Sequence, residues 1–238
     1  MVALNLLALA TASLLTLSTA APAPAPAAVL EQRATHAEPL NETVSIQSAP
    51  RWISGPWQKF PKMSTWLTFD QMFEANKNSI KSTGSTWDDV GRINVAIRNA
   101  AASIGVDERV ILGIIMQESH GYVGVRTTYS PGEGIPTAGI MQCSNCPGYP
   151  GQTGLSQPKG LTKANVQKDQ ISGMVNGGTN HFKANLRDFG DKWSEESIYP
   201  ALREYNSGSV NQNDLSDGRG ATASYVSDIA QRLQGWVD

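Results

Sequence analysis

One glutamate, Glu118, closes a run of residues that has no other use for a charge. Val110, Ile111, Leu112, Ile114, Ile115 and Met116 are apolar on every side of a helical wheel, which predicts a helix buried all round rather than one lying on a surface. The segment ends Gln117-Glu118-Ser119-His120-Gly121, with Gly121 as a stop signal. A carboxyl at the C-terminal end of such a helix meets apolar desolvation, lost hydration and the negative end of the helix dipole, and all three favour its neutral form. That is the environment of a general acid. The other reading is a Glu that escapes to solvent as the helix ends, and this segment alone does not separate the two.

Further polar groups follow. Residues 122–136 are rich in Gly, Thr and Pro and carry one acid, Glu133; then come Thr137-Ala138-Gly139-Ile140-Met141-Gln142, Cys143-Ser144-Asn145-Cys146 and a second Gly- and Pro-rich loop to Gly160. A long irregular stretch in a compact helical domain is either disordered or functional, and the apolar pair Ile140 and Met141 pins this one to the core. The chain has two cysteines, and a Cys143–Cys146 disulfide is expected between them. So short a loop closes little chain entropy, so its role is to stiffen the backbone just after Gln142. Redox-active thiols share the spacing, but the strand-and-helix setting of that fold is missing. No metal site is expected, because His36, His120 and His181 are scattered without ligand spacing, and nothing calls for a cofactor. His120 reads as a cleft residue or a helix-end cap.

The elements that must position these groups are helical. A weak pattern over residues 68–81 places Phe69, Met72, Phe73 and Ile80 on one side. Asp88 is expected to cap the next helix, with Val90, Ile93, Ile97, Ala100 and Ile104 as its buried stripe and Gly105 as its end. Asp107 and Glu108 then open the central helix, which makes a helical hairpin. Residues 161–189 carry Val166, Ile171, Met174, Val175, Phe182 and Leu186, interrupted by Gly177-Gly178, so two helical pieces or a kink are expected. Ser194 caps a helix over 195–205, with Pro200 as a kink or late start, and it delivers Arg203-Glu204-Tyr205-Asn206-Ser207-Gly208. A last amphipathic helix is expected over 221–236, with Tyr225, Ile229, Leu233 and Trp236 on one stripe. The fold class is therefore mainly α, with at most a small hairpin in the middle.

At 238 residues, 40% of them hydrophobic and 17% charged, the chain is expected to form one domain plus a tail, and a monomer. A formal net charge of -2 gives no basic footprint for nucleic acid or an anionic membrane. Residues 1–20 read as a signal peptide, with small residues Ser18-Thr19-Ala20 before a cut, although the usual leading positive charge is missing; a membrane anchor is the other reading. Residues 21–50 are an Ala/Pro-rich propeptide or linker with Arg33 as a processing point and a glycosylation sequon at Asn41, and residues 51–238 are the folded domain. A secreted, extracellular product with no membrane attachment after signal removal is expected. Trp52, Trp57, Phe60 and Trp66 form an irregular arm whose rings pack on the domain or stack on sugars.

The order Gln-Glu-Ser-His at 117–120, Gly-Ile-Met-Gln at 139–142, Tyr-Asn-Ser-Gly at 205–208 and Tyr-Val at 225–226 resembles the lytic transglycosylase (SLT domain) and goose-type lysozyme superfamily, in a secreted eukaryotic, fungal member. The resemblance covers residues 88–233. It implies a lysozyme-like domain with irregular loops around a cleft, acting on β-1,4 bonds of N-acetylated amino-sugar polymers, peptidoglycan or chitin. It also implies Glu118 as the acid that protonates the leaving oxygen, and Gln142, Tyr205, Asn206 and Tyr225 in the sugar-binding cleft, with Ser119 and His120 beside the acid. Amide and phenol groups suit that task, since they hydrogen-bond sugar hydroxyls and acetamido groups without adding a second charge.

A conventional glycosidase needs two carboxylates. Lytic transglycosylases are thought to use the substrate's own acetamido group and 6-hydroxyl, whereas goose-type lysozymes hydrolyse with acids near the Gly-Leu-Met-Gln segment. Glu133 falls where one of those acids would lie, while the place of another is held by Ser144. Glu133 is thus either a second catalytic acid or a solvated loop charge, and hydrolysis is slightly favoured because a secreted eukaryotic enzyme has less use for anhydro products. The alternative to an enzyme is a non-catalytic binder of N-acetylglucosamine polymers on the same fold, against which stands a carboxyl in an apolar pocket.

Overall fold

A computed structural model describes residues 51–130, 134–148 and 168–238. The chain divides into two units, Met1–Thr43 and Val44–Asp238, and the described residues all belong to the second. The expected signal peptide, the linker with its Asn41 sequon, and Glu133 lie outside the described residues.

Described residues form helices α1 (Phe69–Ser82), α2 (Trp87–Ala100), α3 (Glu108–Ser119), α4 (Lys168–Asp188), α5 (Glu195–Ser207) and α6 (Tyr225–Arg232). Strands β1 (Thr128–Tyr129), β2 (Pro136–Ala138) and β3 (Cys143–Ser144) make an antiparallel meander in that order, pairing Thr128 with Thr137 and Ala138 with Cys143. The architecture is mainly helical. The expected single hairpin is a three-stranded meander, because Gly139 to Gln142 turn the chain back for a third strand: Gly139 has φ +75° and Gln142 φ 43°.

Helix α3 is the hub. Val110 to Met116 are all at most 1% exposed where apolar, so the expected all-round burial is observed. α1 and α6 both pack against α3, and Gly113 lets α6 approach, since a Cβ there would stand 3.1 Å from Ile229 Cγ2. Along the other side α2 runs against α4, and α4 against α5.

Helix starts correct one expectation. Thr86, not Asp88, caps α2: its hydroxyl accepts from the Asp89 amide at 3.1 Å while Asp89 Oδ2 accepts from the Thr86 amide at 2.8 Å. The reciprocal pair satisfies two otherwise orphaned amide groups, which a lone Asp88 cannot do. Thr68 and Gln71 repeat the device at α1. α2 passes into a π-helical turn, Ala101–Gly105, before Gly105 ends it at φ +73°. The last helix, α6, is shorter than the periodicity predicts; residues 221–224 lie outside it.

The Gly177-Gly178 pair neither breaks nor divides its helix, for α4 runs unbroken from Lys168 to Asp188. Its function is proximity: a Cβ on Gly177 would lie 2.7 Å from Pro147 Cδ, and one on Gly178 would collide with the Met141 side chain at its own Cβ. Two helical glycines cost about 1 kcal/mol each against alanine, and the loop carrying Met141 and the disulfide settles into the groove they leave. Gly178→Ala is therefore expected to destabilise by about 1–3 kcal/mol despite its better helix propensity, since a Cβ cannot swing aside; urea denaturation checks it, and a stabilised variant contradicts the close approach. Pro200 likewise leaves α5 continuous.

Of the arm's aromatic residues, Phe60 and Trp66 are buried and Trp57 packs on the core, whereas Trp52 is 58% exposed. Tyr199 gathers the first two, its hydroxyl donating to Pro61 O at 2.6 Å and accepting from Trp66 Nε1 at 3.3 Å.

Candidate functional site

Glu118 sits one residue from the end of α3. The helix stops because His120 takes a left-handed conformation at φ 50°, followed by Gly121 at φ +71°, where a Cβ would press to 2.9 Å from Ile80. Only glycine fits that second position comfortably. Glu118 is thereby left half-buried at the rim of the core.

One element brings a polar group into contact with it. The first residue of α6, Tyr225, is 2% exposed and donates its hydroxyl to Glu118 Oε1 at 2.6 Å. Glu118 Oε2 has no hydrogen-bond partner among the described residues and is not sealed from solvent. Burial pushes the Glu118 carboxyl up to about 7, against the opposing effect of the Tyr225 hydrogen bond. The carboxyl is thus held by one oxygen and able to give a proton from the other near neutral pH. Burial and the nearby Glu118 charge also raise both tyrosine hydroxyls, Tyr205 and Tyr225, well above the ordinary phenol range, so they act as neutral donors.

Tyr205 comes from α5 and serves a different partner. Its hydroxyl donates to Met141 O at 2.7 Å, while Ser119 Oγ donates to Ile140 O, also at 2.7 Å. These two bonds fasten the Gly139–Gln142 turn to α5 and α3, with Gly139 so close to Pro147 O that a Cβ would fall 2.5 Å from it. The bond between Cys143 and Cys146 follows at once, as expected. Gln142 is drawn inward: its amide donates to Arg126 O and Gly139 O at 3.2 and 2.9 Å, and its carbonyl accepts from Thr128 at 2.9 Å. The side chain therefore braces the meander. Asn206 Oδ1 accepts from the Thr222 amide at 3.1 Å and from Arg203.

His120 ends α3, with Nε2 3.1 Å from Asp238 Oδ2. Arg232 meets the same carboxylate through both terminal nitrogens, at 2.8 and 2.9 Å. Burial works to raise the Asp238 carboxyl, but the hydrogen bonds and charges of Arg232 and His120 together bring it down to about 2.

The residue that sequence reasoning passed over is Arg203. It is 0% exposed, donates to Thr222 O at 3.0 Å, Leu215 O at 3.4 Å, Ser207 Oγ at 3.3 Å and Asn206 Oδ1, and lies 6.0 Å from the centre of the Tyr225 ring. It clamps the loop that leads into Tyr225. A signal existed: position 203 falls one helical turn after the buried Tyr199, so the apolar stripe of α5 demanded an inward side chain there. His181 of α4 packs edge-on to Tyr205 at 5.1 Å, and burial lowers its imidazole below the ordinary value. Among the described residues no group of three or more His, Cys, Asp or Glu converges as a metal site.

The chain matches no protein-family model, and no curated protein matches it.

Removing the Tyr225 hydroxyl tests the cluster's electrostatics. Because that bond lowers the Glu118 carboxyl against burial, Tyr225→Phe is expected to push it further above 7. A carboxyl-selective titration by NMR reads the shift, and an unmoved or lowered value contradicts the bond.

Proposed function

We propose that this chain is a secreted glycoside-cleaving enzyme with a lysozyme-like fold, acting on β-1,4 bonds of N-acetylated amino-sugar polymers, with Glu118 as its general acid. The observation that carries the reading is the carboxyl itself: Oε1 fixed by Tyr225, Oε2 without a hydrogen-bond partner among the described residues, and burial pushing its titration up to about 7. Protonation of a glycosidic oxygen needs an acid that still holds its proton near neutral pH and sits in a fixed place, and this one does both. The leaving oxygen would take the proton from Oε2, and Tyr225 would stabilise the carboxylate left behind. Glu133 remains the candidate second acid on the sequence resemblance.

Activity should depend on pH in one direction at its basic side. The acid works protonated, so turnover is expected to fall as pH rises through about 7, tenfold per pH unit beyond it. An initial-rate profile on a soluble oligomer checks this, and a plateau reaching pH 9 rejects Glu118 as the acid.

Mass spectrometry of soluble products from purified peptidoglycan and from chitin oligomers tests the function. Reducing-end sugars released by the wild type and not by Glu118→Gln indicate hydrolysis, whereas anhydro ends indicate transglycosylation. Binding without products from either protein would make it a saccharide binder instead.

A further inference from the structure

A cavity of about 420 Å³ lies away from Glu118, between the arm and the C-terminal part of α6. Neither Glu118 nor any of the tyrosines around it lines this space. Gln231, on its wall, stands six residues along α6 from Tyr225, about 9 Å at 1.5 Å per residue.

The arm is held rigidly here. The Arg51 amide donates to Gln231 Oε1, the Ile53 amide donates to Ser227 Oγ at 3.0 Å, and Ser227 Oγ donates back to Arg51 O at 3.3 Å. Further on, the Gly55 amide donates to Asp214 Oδ1 at 2.9 Å. With Ile53 packed on the core, its neighbour Trp52 is turned outward, 58% exposed on a fixed backbone. An indole left in water gives up its burial energy, about 25 cal/mol for each Å² of apolar surface, while Phe60 and Trp66 of the same arm are buried. Arg51 and Lys59 stand on the same cavity, and neither has an acidic partner among the described residues. In a chain of net charge -2, two uncompensated cations beside an exposed indole are a local departure from the whole.

We infer that this cavity is a saccharide-anchoring site, in which Trp52 stacks on a sugar ring and Arg51 and Lys59 pair with an anionic substituent of that sugar or its neighbour. An indole face takes the apolar C–H face of a pyranose, and guanidinium and ammonium groups pair with carboxylate. The volume falls in the range of small-ligand sites. The choice of a saccharide rests on the amino-sugar reading of Glu118. It deepens that reading by favouring a polymer whose sugars bear carboxylates, as the muramic acid of peptidoglycan does, over neutral chitin.

Binding is measured in the Glu118→Gln background, so that nothing turns over, with two probes: an oligomer of alternating N-acetylglucosamine and N-acetylmuramic acid, and a chitin oligomer of equal length. Trp52→Ala is expected to weaken binding of the acidic oligomer about tenfold or more. Arg51→Gln with Lys59→Gln is expected to match that loss for the acidic oligomer, to leave the neutral one unchanged, and to abolish the dependence on salt. Unchanged affinity in both variants overturns the site, and so does an equal loss for both oligomers in the charge variant. Products without any Trp52-dependent binding reject the anchoring site and leave the acid standing, whereas Trp52-dependent binding without products rejects the acid and leaves the anchoring site.

Discussion

Glu118→Gln is expected to lower turnover by a factor of about 10² to 10⁴, the usual contribution of a positioned general acid, and at the same time to make the protein more stable above neutral pH. The two effects have one cause. In the native chain burial holds this carboxyl up to about 7 against its ordinary value of 4.5, so between those pH values the folded protein keeps a proton that the unfolded chain has lost. Stability from this group is present below pH 4.5, declines as pH rises, and is gone above about pH 7. The full difference is an upper bound of about 3 kcal/mol, which in a chain of this size corresponds to a melting shift of about 5–10 °C. Glutamine is neutral throughout and its carbonyl still accepts from Tyr225, so the variant escapes the decline. Thermal melts of both proteins at pH 5 and pH 8 measure it without any substrate: the curves should nearly coincide at the lower pH and separate in favour of the variant at the higher. Parallel decline would show that Glu118 does not titrate in that window, and the acid role would go with it.

Glu118 was legible because the signal was a contradiction, an acid closing a helix with no polar face, and contradictions of that kind survive without knowledge of packing. The six helical segments were legible for a related reason: apolar spacing reports which face is covered, whatever covers it. What covers it was not. Gly177-Gly178 looks the same in sequence whether the helix bends or another loop lies against it, and only the position of Met141 decides. The fate of polar side chains was equally hidden. Gln142 and Ser119 carry hydrogen-bonding groups suited to a sugar, but other parts of the chain claim them, Gln142 through the Arg126 and Gly139 carbonyls and the Thr128 hydroxyl, and Ser119 through the Ile140 carbonyl. His120, two residues from the acid, belongs to Asp238, from the far end of the chain, a contact that no local pattern encodes. Thr86 over Asp88 at the α2 cap is the exception, since Asp89 three residues after Thr86 completes a reciprocal pair that was readable from spacing alone.

Arg203→Met should cost about 3–5 kcal/mol, a large part of the margin of a domain with total stability of about 5–15 kcal/mol. The guanidinium is fully buried and its hydrogens end on Thr222 O, Leu215 O and Asn206 Oδ1, so a thioether removes the Arg203 donor from all three, while Thr222 O and Asn206 Oδ1 each keep one backbone donor. The buried charge is itself costly, and burial lowers its proton affinity below the ordinary value against the opposing influence of Tyr225 and Asp217. What it holds is the approach to the acid. Thr222 is gripped twice, its carbonyl by Arg203 and its amide by Asn206, and the Tyr225 amide donates to Thr222 O at 3.2 Å. Releasing the clamp should therefore loosen the start of α6 before it loosens the core. Amide exchange reads that order: in Arg203→Met the Thr222 and Tyr225 amides should lose protection while Ile114 and Ile115, at the centre of α3, keep theirs under native conditions. Arg203→Lys keeps the charge but offers three donors in place of a planar fork, so it should recover part of the stability and little of the local protection. A uniform loss of protection across α3 and α6 would mean that Arg203 supports the whole core, and that Tyr225 is placed by α6 alone.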